Sequence, residues 1–159
     1  MIYKKLHHEI FDEIQIWEEK LLGLNKETIS ARKNSQNRTI KQIVGHMVDS
    51  ASNNTHRMIH LQYGEIPLEF PNYASYGNND RWIDIQNYQE EDWQNLVSLW
   101  KYIHLHFLHV VKNVNTEKLS NQWMADEDVP VTLEEMLLDF PRHFHLHLNE
   151  IQELIKNNR

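Results

Sequence analysis

The sequence predicts an all-α domain, a four-helix bundle with long connections. Four segments carry apolar residues at the three-and-four spacing of an amphipathic helix. The stretches between them are rich in Asn, Asp, Ser and Pro and lose that periodicity. At 159 residues the chain has the length of one domain, with a core that needs no cross-links.

The first helix is set by Tyr3, Leu6, Ile10, Ile14, Trp17, Leu21 and Leu24, with charged residues between them and Gly23 at its C-terminal stop. Residues 25–38 are polar and read as a surface connection long enough to cross a bundle end. Thr39 caps a second helix that runs to about Tyr63 and ends at Gly64, with Ile40, Ile43, Val44, Met47, Val48, Ala51, Met58 and Leu61 inward. It is expected to pack beside the first or the last of the four. His46, Ser50, Asn53 and Arg57 form a polar stripe on its flank, which either lines a pocket or is an ordinary wetted edge. His56 and His60 share the same spacing but point away from the apolar face and read as solvated.

Residues 65–88 hold two prolines, Gly77 and several Asn and Asp, interleaved with Phe70, Tyr73, Tyr76, Trp82 and Tyr88. So aromatic a loop either roofs a site at the end of the bundle or covers the core. The third helix runs from Gln89 to about Val114, with Trp93, Leu96, Val97, Trp100, Ile103, Phe107, Val110, Val111 and Val114 inward. His104, His106 and His109 accompany it as packing or surface residues. Residues 115–131 form a polar connection anchored by Trp123, in which the acidic run Asp126 to Asp128 reads as a solvated loop.

The last helix starts at the capping box of Thr132 and Glu135 and carries Leu133, Met136, Leu137, Phe140, Phe144, Leu148, Ile151, Leu154 and Ile155 on one face to its end. At roughly 100° per residue, His143 and His147 lie about 40° apart on one flank, with His145 on the other side. Two imidazoles one turn apart can hold one metal ion, and histidines beside a core can equally be hydrogen-bonded packing residues. HFHLH also alternates as a strand would. Pro141 removes one intrahelical hydrogen bond and is expected to kink the helix just before His143, aiming the pair or breaking the helix.

Composition narrows the chemistry. No cysteine is present, so a transition metal must be held by nitrogen and oxygen. A net charge of −7 with no Lys/Arg cluster argues against nucleic acid as a partner. The charged N-terminus lacks the apolar core of a signal peptide, and no run is long enough for a membrane span, so a cytoplasmic protein is expected. A di-iron carboxylate site is disfavoured because no histidine has glutamate three residues before it, and a zincin because His-Glu-x-x-His is missing.

The segments IVGHMVDSASN around His46, NNDRWIDIQNYQEEDWQNLVSLW and DFPRHFHLHLNEI together resemble the DinB-like superfamily of bacterial four-helix-bundle proteins over nearly the whole chain. The resemblance implies one divalent metal, zinc or nickel, held by His46, His143 and His147 near one end of the bundle. A departure is Leu146 before His147, where the family often has histidine. Three neutral imidazoles leave open positions, as in a catalytic site. The activity implied first is thiol-dependent S-transfer from a low-molecular-weight thiol; the alternatives are metal-dependent hydrolysis and a non-enzymatic metal-binding stress-response role. Asp49 and Glu150 are the candidate catalytic residues, with Ser50 and Asn53 beside them, each within a turn of an implied ligand. Arg81, Trp82 and Tyr88 are candidates for substrate recognition. A homodimer is compatible with the open helical faces and with the family's habits.

Overall fold

The computed structural model of the protein describes residues 3–156. Six α-helices are present, α1 (Lys4–Leu22), α2 (Lys26–Ser30), α3 (Ile40–Tyr63), α4 (Asn78–Gln86), α5 (Trp93–Lys112) and α6 (Leu133–Lys156), with a hairpin of β1 (Gln122–Asp126) and β2 (Val129–Thr132). The long helices α1, α3, α5 and α6 form a four-helix bundle. Among the described residues no helix is long and apolar enough to cross a membrane.

Cross-helix contacts give the helix directions. Trp93 donates from Nε1 to the Leu21 carbonyl at 3.0 Å, and Lys101 pairs with Glu18 at 2.7 Å, so α1 and α5 run antiparallel. His46 meets His147 while Arg57 reaches Met136, so α3 and α6 are antiparallel too. Tyr88, just before α5, packs on Gly45 near the start of α3, and Asn115, just after α5, donates to Gln62 near the end of α3, making α3 and α5 parallel. A parallel pair obliges the chain to return along the whole bundle, and residues 64–92 are that return. The second long helix thus packs on both α5 and α6. The core is closed from opposite corners by aromatics, with Phe107 stacked on Phe140 at 3.8 Å and Trp100 on Phe144 at 6.1 Å.

Capping follows the sequence closely. Thr39 and Gln42 form a reciprocal capping box at α3, Asp92 caps α5 through the Asn95 amide, and Thr132 and Glu135 exchange bonds at α6. The connections are more ordered than their composition suggests. Residues 25–38 contain α2, capped by Asn25. The aromatic loop contains α4, entered through Gly77 at φ +72 and left through Asn87 at φ +51, the left-handed region that glycine and asparagine tolerate. Residues 122–132 form the antiparallel hairpin, turning at Asp128 with φ +58. Leu68 bridges to Trp123, tying the return segment to it.

α6 runs through Pro141 without a break. One missing amide leaves neighbouring hydrogen bonds in place, and the buried face from Leu133 to Leu154 holds both halves against the core.

Candidate metal centre

Three histidines meet where α3 and α6 pack. His46 comes from α3, and His143 and His147 come from successive turns of α6. One ring nitrogen from each lies within 4.8 Å of the others. The ring centroids are 4.4 Å apart for His143 and His147, 4.6 Å for His46 and His147, and 5.6 Å for His46 and His143. His46 and His147 are each only 4% exposed; His143 is half-buried.

Each ring is oriented through Nδ1. His147 donates from Nδ1 to Glu150 Oε2 at 2.8 Å. His46 Nδ1 lies 2.5 Å from the Tyr73 hydroxyl, which itself donates to the His46 carbonyl at 3.2 Å, so the imidazole is the donor in that pair. His143 Nδ1 lies 3.4 Å from Ser50 Oγ. Protons on the three Nδ1 atoms would leave the three Nε2 lone pairs free for a metal ion.

The donor set fits a divalent ion. Nε2 atoms of His143 and His147 are 3.0 Å apart. Two ligand nitrogens on a tetrahedral zinc, at bond lengths of about 2.0–2.1 Å, are separated by about 3.3 Å. Burial, reinforced by His147, Arg38 and the His143 ring, pushes His46 down to about 2, and burial with His147 lowers His143 to about 4. These two rings are therefore neutral at pH 7 and offer lone pairs rather than protons. An imidazole triad leaves room for further ligands, the pattern of a catalytic rather than a closed metal.

The triad faces a cavity of about 640 Å³. The α3 stripe read from the sequence borders it, with Ser50, Asn53 and Arg57 following His46, and the return segment covers it with Asn72 and Tyr73. Glu150 lines it and holds His147. Asp49 is placed differently. Its carboxylate is 2% exposed, accepts from the Tyr88 hydroxyl at 2.6 Å and from Gln86 at 2.8 Å, and turns toward α4 rather than toward the cavity. Burial raises it to about 6 against the opposing pull of those two hydrogen bonds. His145 lies apart, half-buried, 3.6 Å from Glu9.

Arg81, Trp82 and Tyr88 do not line the cavity. Arg81 is exposed and bonds Asn78, Trp82 packs on Tyr73, and Tyr88 is buried against Gly45. In the sequence Tyr73 is one aromatic among several, and Arg38 does not stand out. Neither had a periodic signal, because Tyr73 sits in a loop and Arg38 just ahead of a cap.

No protein-family model and no curated protein matches the sequence. Solved structures do match. YfiT from Bacillus subtilis, described as a probable metal-dependent hydrolase with an unusual four-helix bundle topology, superposes with a TM-score of 0.78 at 18% identity, over 95% of this chain and 85% of that one. The chain has the DinB-like fold. A mycothiol-dependent maleylpyruvate isomerase shares this DinB-like fold at a TM-score of 0.71 and 14% identity, with 91% of this chain matched. A histidine-to-alanine variant of that isomerase matches at the same TM-score and 13% identity. This chain spans 60% of the isomerase's length.

Proposed function

We propose that the protein is a metal-dependent enzyme in which His46, His143 and His147 hold one divalent ion, zinc or nickel, and that its reaction transfers a small electrophile to a low-molecular-weight thiol. The observation that carries this reading is the convergence of three imidazoles, one ring nitrogen from each within 4.8 Å of the others and each ring with a polar neighbour at Nδ1, on a cavity of about 640 Å³. That volume suits an organic substrate rather than water alone. A bound ion supplies Lewis acidity that lowers the pKa of a thiol or a water in an open position.

The chain's own residues contribute orientation and exclusion of solvent. Glu150 fixes the His147 tautomer and ring orientation, so it acts as a positioning residue. Tyr73 does the same for His46 and also covers the ring from the return segment. Ser50 plays that part for His143. Asp49 acts at a distance, holding Tyr88 and Gln86 and with them the segment around α4.

The likeness to a mycothiol-dependent isomerase supports the thiol reading. The likeness to YfiT, over more of both chains, supports a second one, hydrolysis by metal-activated water. Metal content and cobalt spectroscopy test them in sequence. Protein purified without a nickel column is expected to carry about one divalent ion per chain, lost in His46→Ala, His143→Ala and His147→Ala and kept in His145→Ala. Equal metal content in all four variants rejects the site. A sulfur-to-cobalt charge-transfer band, on adding a small thiol to cobalt-loaded protein, is the expected sign of thiol chemistry. Ester cleavage without such a band would favour hydrolysis instead.

A further inference from the structure

Most charged groups lining the cavity already have close polar partners. Arg38 pairs with Asp80 at 2.6 Å, Asp139 with Arg142 at 2.6 Å, Glu150 with His147 at 2.8 Å, and Glu135 accepts from Thr132 at 2.8 Å. Arg57 is different. It is 6% exposed and has no carboxylate partner among the described residues. Its hydrogen bonds are a long one to Asn54 Oδ1, 3.3 Å, and one to Met136 Sδ, 3.8 Å, while its Nε is buried with no partner. Its guanidinium lies 3.6 Å from the Trp123 ring centroid and 5.5 Å from Phe70.

A desolvated guanidinium without an anion is costly, and its planar fork matches a carboxylate. Stacking on Trp123 satisfies one face of the guanidinium, and the two long bonds to Asn54 and Met136 leave Nε unmet and no anion on its edge. Burial lowers Arg57 to about 10, so it remains charged at neutral pH. Eleven residues separate it from His46, three turns of α3, which puts both side chains on one face of the helix and roughly 16 Å apart along its axis. Arg57 therefore stands at the far end of the same cavity.

We propose that Arg57 is a specificity-determining residue that receives a carboxylate, so that the substrate is an elongated molecule with a carboxylate on the order of 10 Å from its reacting atom. The inference rests on the reading of the triad as the reacting end, but its test separates the two. With Arg38 already paired to Asp80, one guanidinium without a carboxylate partner, in a cavity that also holds three carboxylates, suits a monoanion better than a phosphate dianion.

The probes are ω-mercaptoalkanoates of increasing chain length, their methyl esters, and the same alkanoates without the thiol, titrated by calorimetry into zinc-loaded and metal-free protein. The acid is expected to bind about tenfold more tightly than its ester at the best chain length, with or without zinc. In Arg57→Gln that preference disappears while the ester's affinity stays the same; in Arg57→Lys, which keeps charge but loses the fork, it falls partway. Equal binding of acid and ester by the wild type, or no binding of any acid, overturns the inference and needs no variant. So does an acid preference that survives intact in a folded Arg57→Gln protein. Inorganic phosphate competing better than the alkanoate overturns the carboxylate assignment. The metal reading is read independently, from a thiol preference that appears only when zinc is present.

Discussion

A buried base makes the fold sensitive to acid, and His104 is the clearest case. The ring is 1% exposed, its Nδ1 donates to the Trp100 carbonyl at 2.6 Å, and it packs on Phe140 and Phe144. Burial lowers it to about 4, with the Trp100 bond opposing. Between about 4 and 6.5 the unfolded chain takes up a proton that the folded chain refuses. Its contribution to stability is therefore complete above pH 6.5 and is lost as pH falls toward 4. Asp49, raised to about 6, has the opposite sign, because its folded form holds the extra proton over part of the same range. The two must be separated by comparing variants. On metal-free protein, His104→Gln is expected to flatten the acid limb of the stability profile by up to about 1.4 kcal/mol per pH unit between pH 6 and 4.5, measured by urea denaturation. Parallel profiles for wild type and variant would show that His104 does not titrate on unfolding.

At the scale of elements, the contact between α3 and the segment before α5 depends on a missing side chain. A Cβ added to Gly45 would lie 2.2 Å from Tyr88 Cδ2 and 2.3 Å from its Cγ, atoms near the root of a buried ring. Gly45→Ala must displace Tyr88, and with it the bond to Asp49 that anchors the end of α4. A loss of about 1–3 kcal/mol is expected, the usual range for overpacking. Gly23→Ala is the control. Its nearest neighbours are two backbone oxygens at 3.5 and 3.6 Å and its φ is −79°, so it should be neutral or gain about 0.4–1 kcal/mol. Equal destabilisation by both changes would rule out the close packing described at Tyr88.

The same scale explains what could be read from the sequence. The four long helices declared themselves because their apolar faces repeat over many turns, and Thr39 and Thr132 marked starts that packing had no reason to move. α4 was hidden: its nine residues hold one buried side chain, Ile83, and its ends are set by left-handed residues rather than by periodicity. The hairpin was hidden by Asp126, Glu127 and Asp128, whose turn conformation outweighs their appearance as a charged loop. His46, His143 and His147 could be suspected from helical spacing. Their meeting could not, because it depends on how α3 and α6 pack. Tyr73 and the unpaired state of Arg57 depend on that closure too, and Arg57 was visible only as the end of a polar stripe.

For the molecule as a whole, the proposed metal site would act as a cross-link between two antiparallel helices. α3 supplies one of its histidines and α6 two, while the return segment adds Tyr73 beside His46. The unfolded chain, whose three imidazoles lie 101 residues apart at the extremes, cannot present such a site, so an ion bound there stabilises only the folded state. At a free zinc concentration one thousand times Kd the gain is about 4 kcal/mol. For a domain of this size each kcal/mol moves Tm by about 2–4 °C, which predicts a rise of roughly 8–16 °C on loading and its reversal by a chelator. His46→Ala removes the only ligand from α3 and leaves His143 and His147 on one helix, so the rise should almost vanish. His145→Ala should keep it in full. A wild-type Tm that does not respond to zinc, nickel or cobalt would sink the cross-link, and a rise that persists in His46→Ala would place the ion on α6 alone.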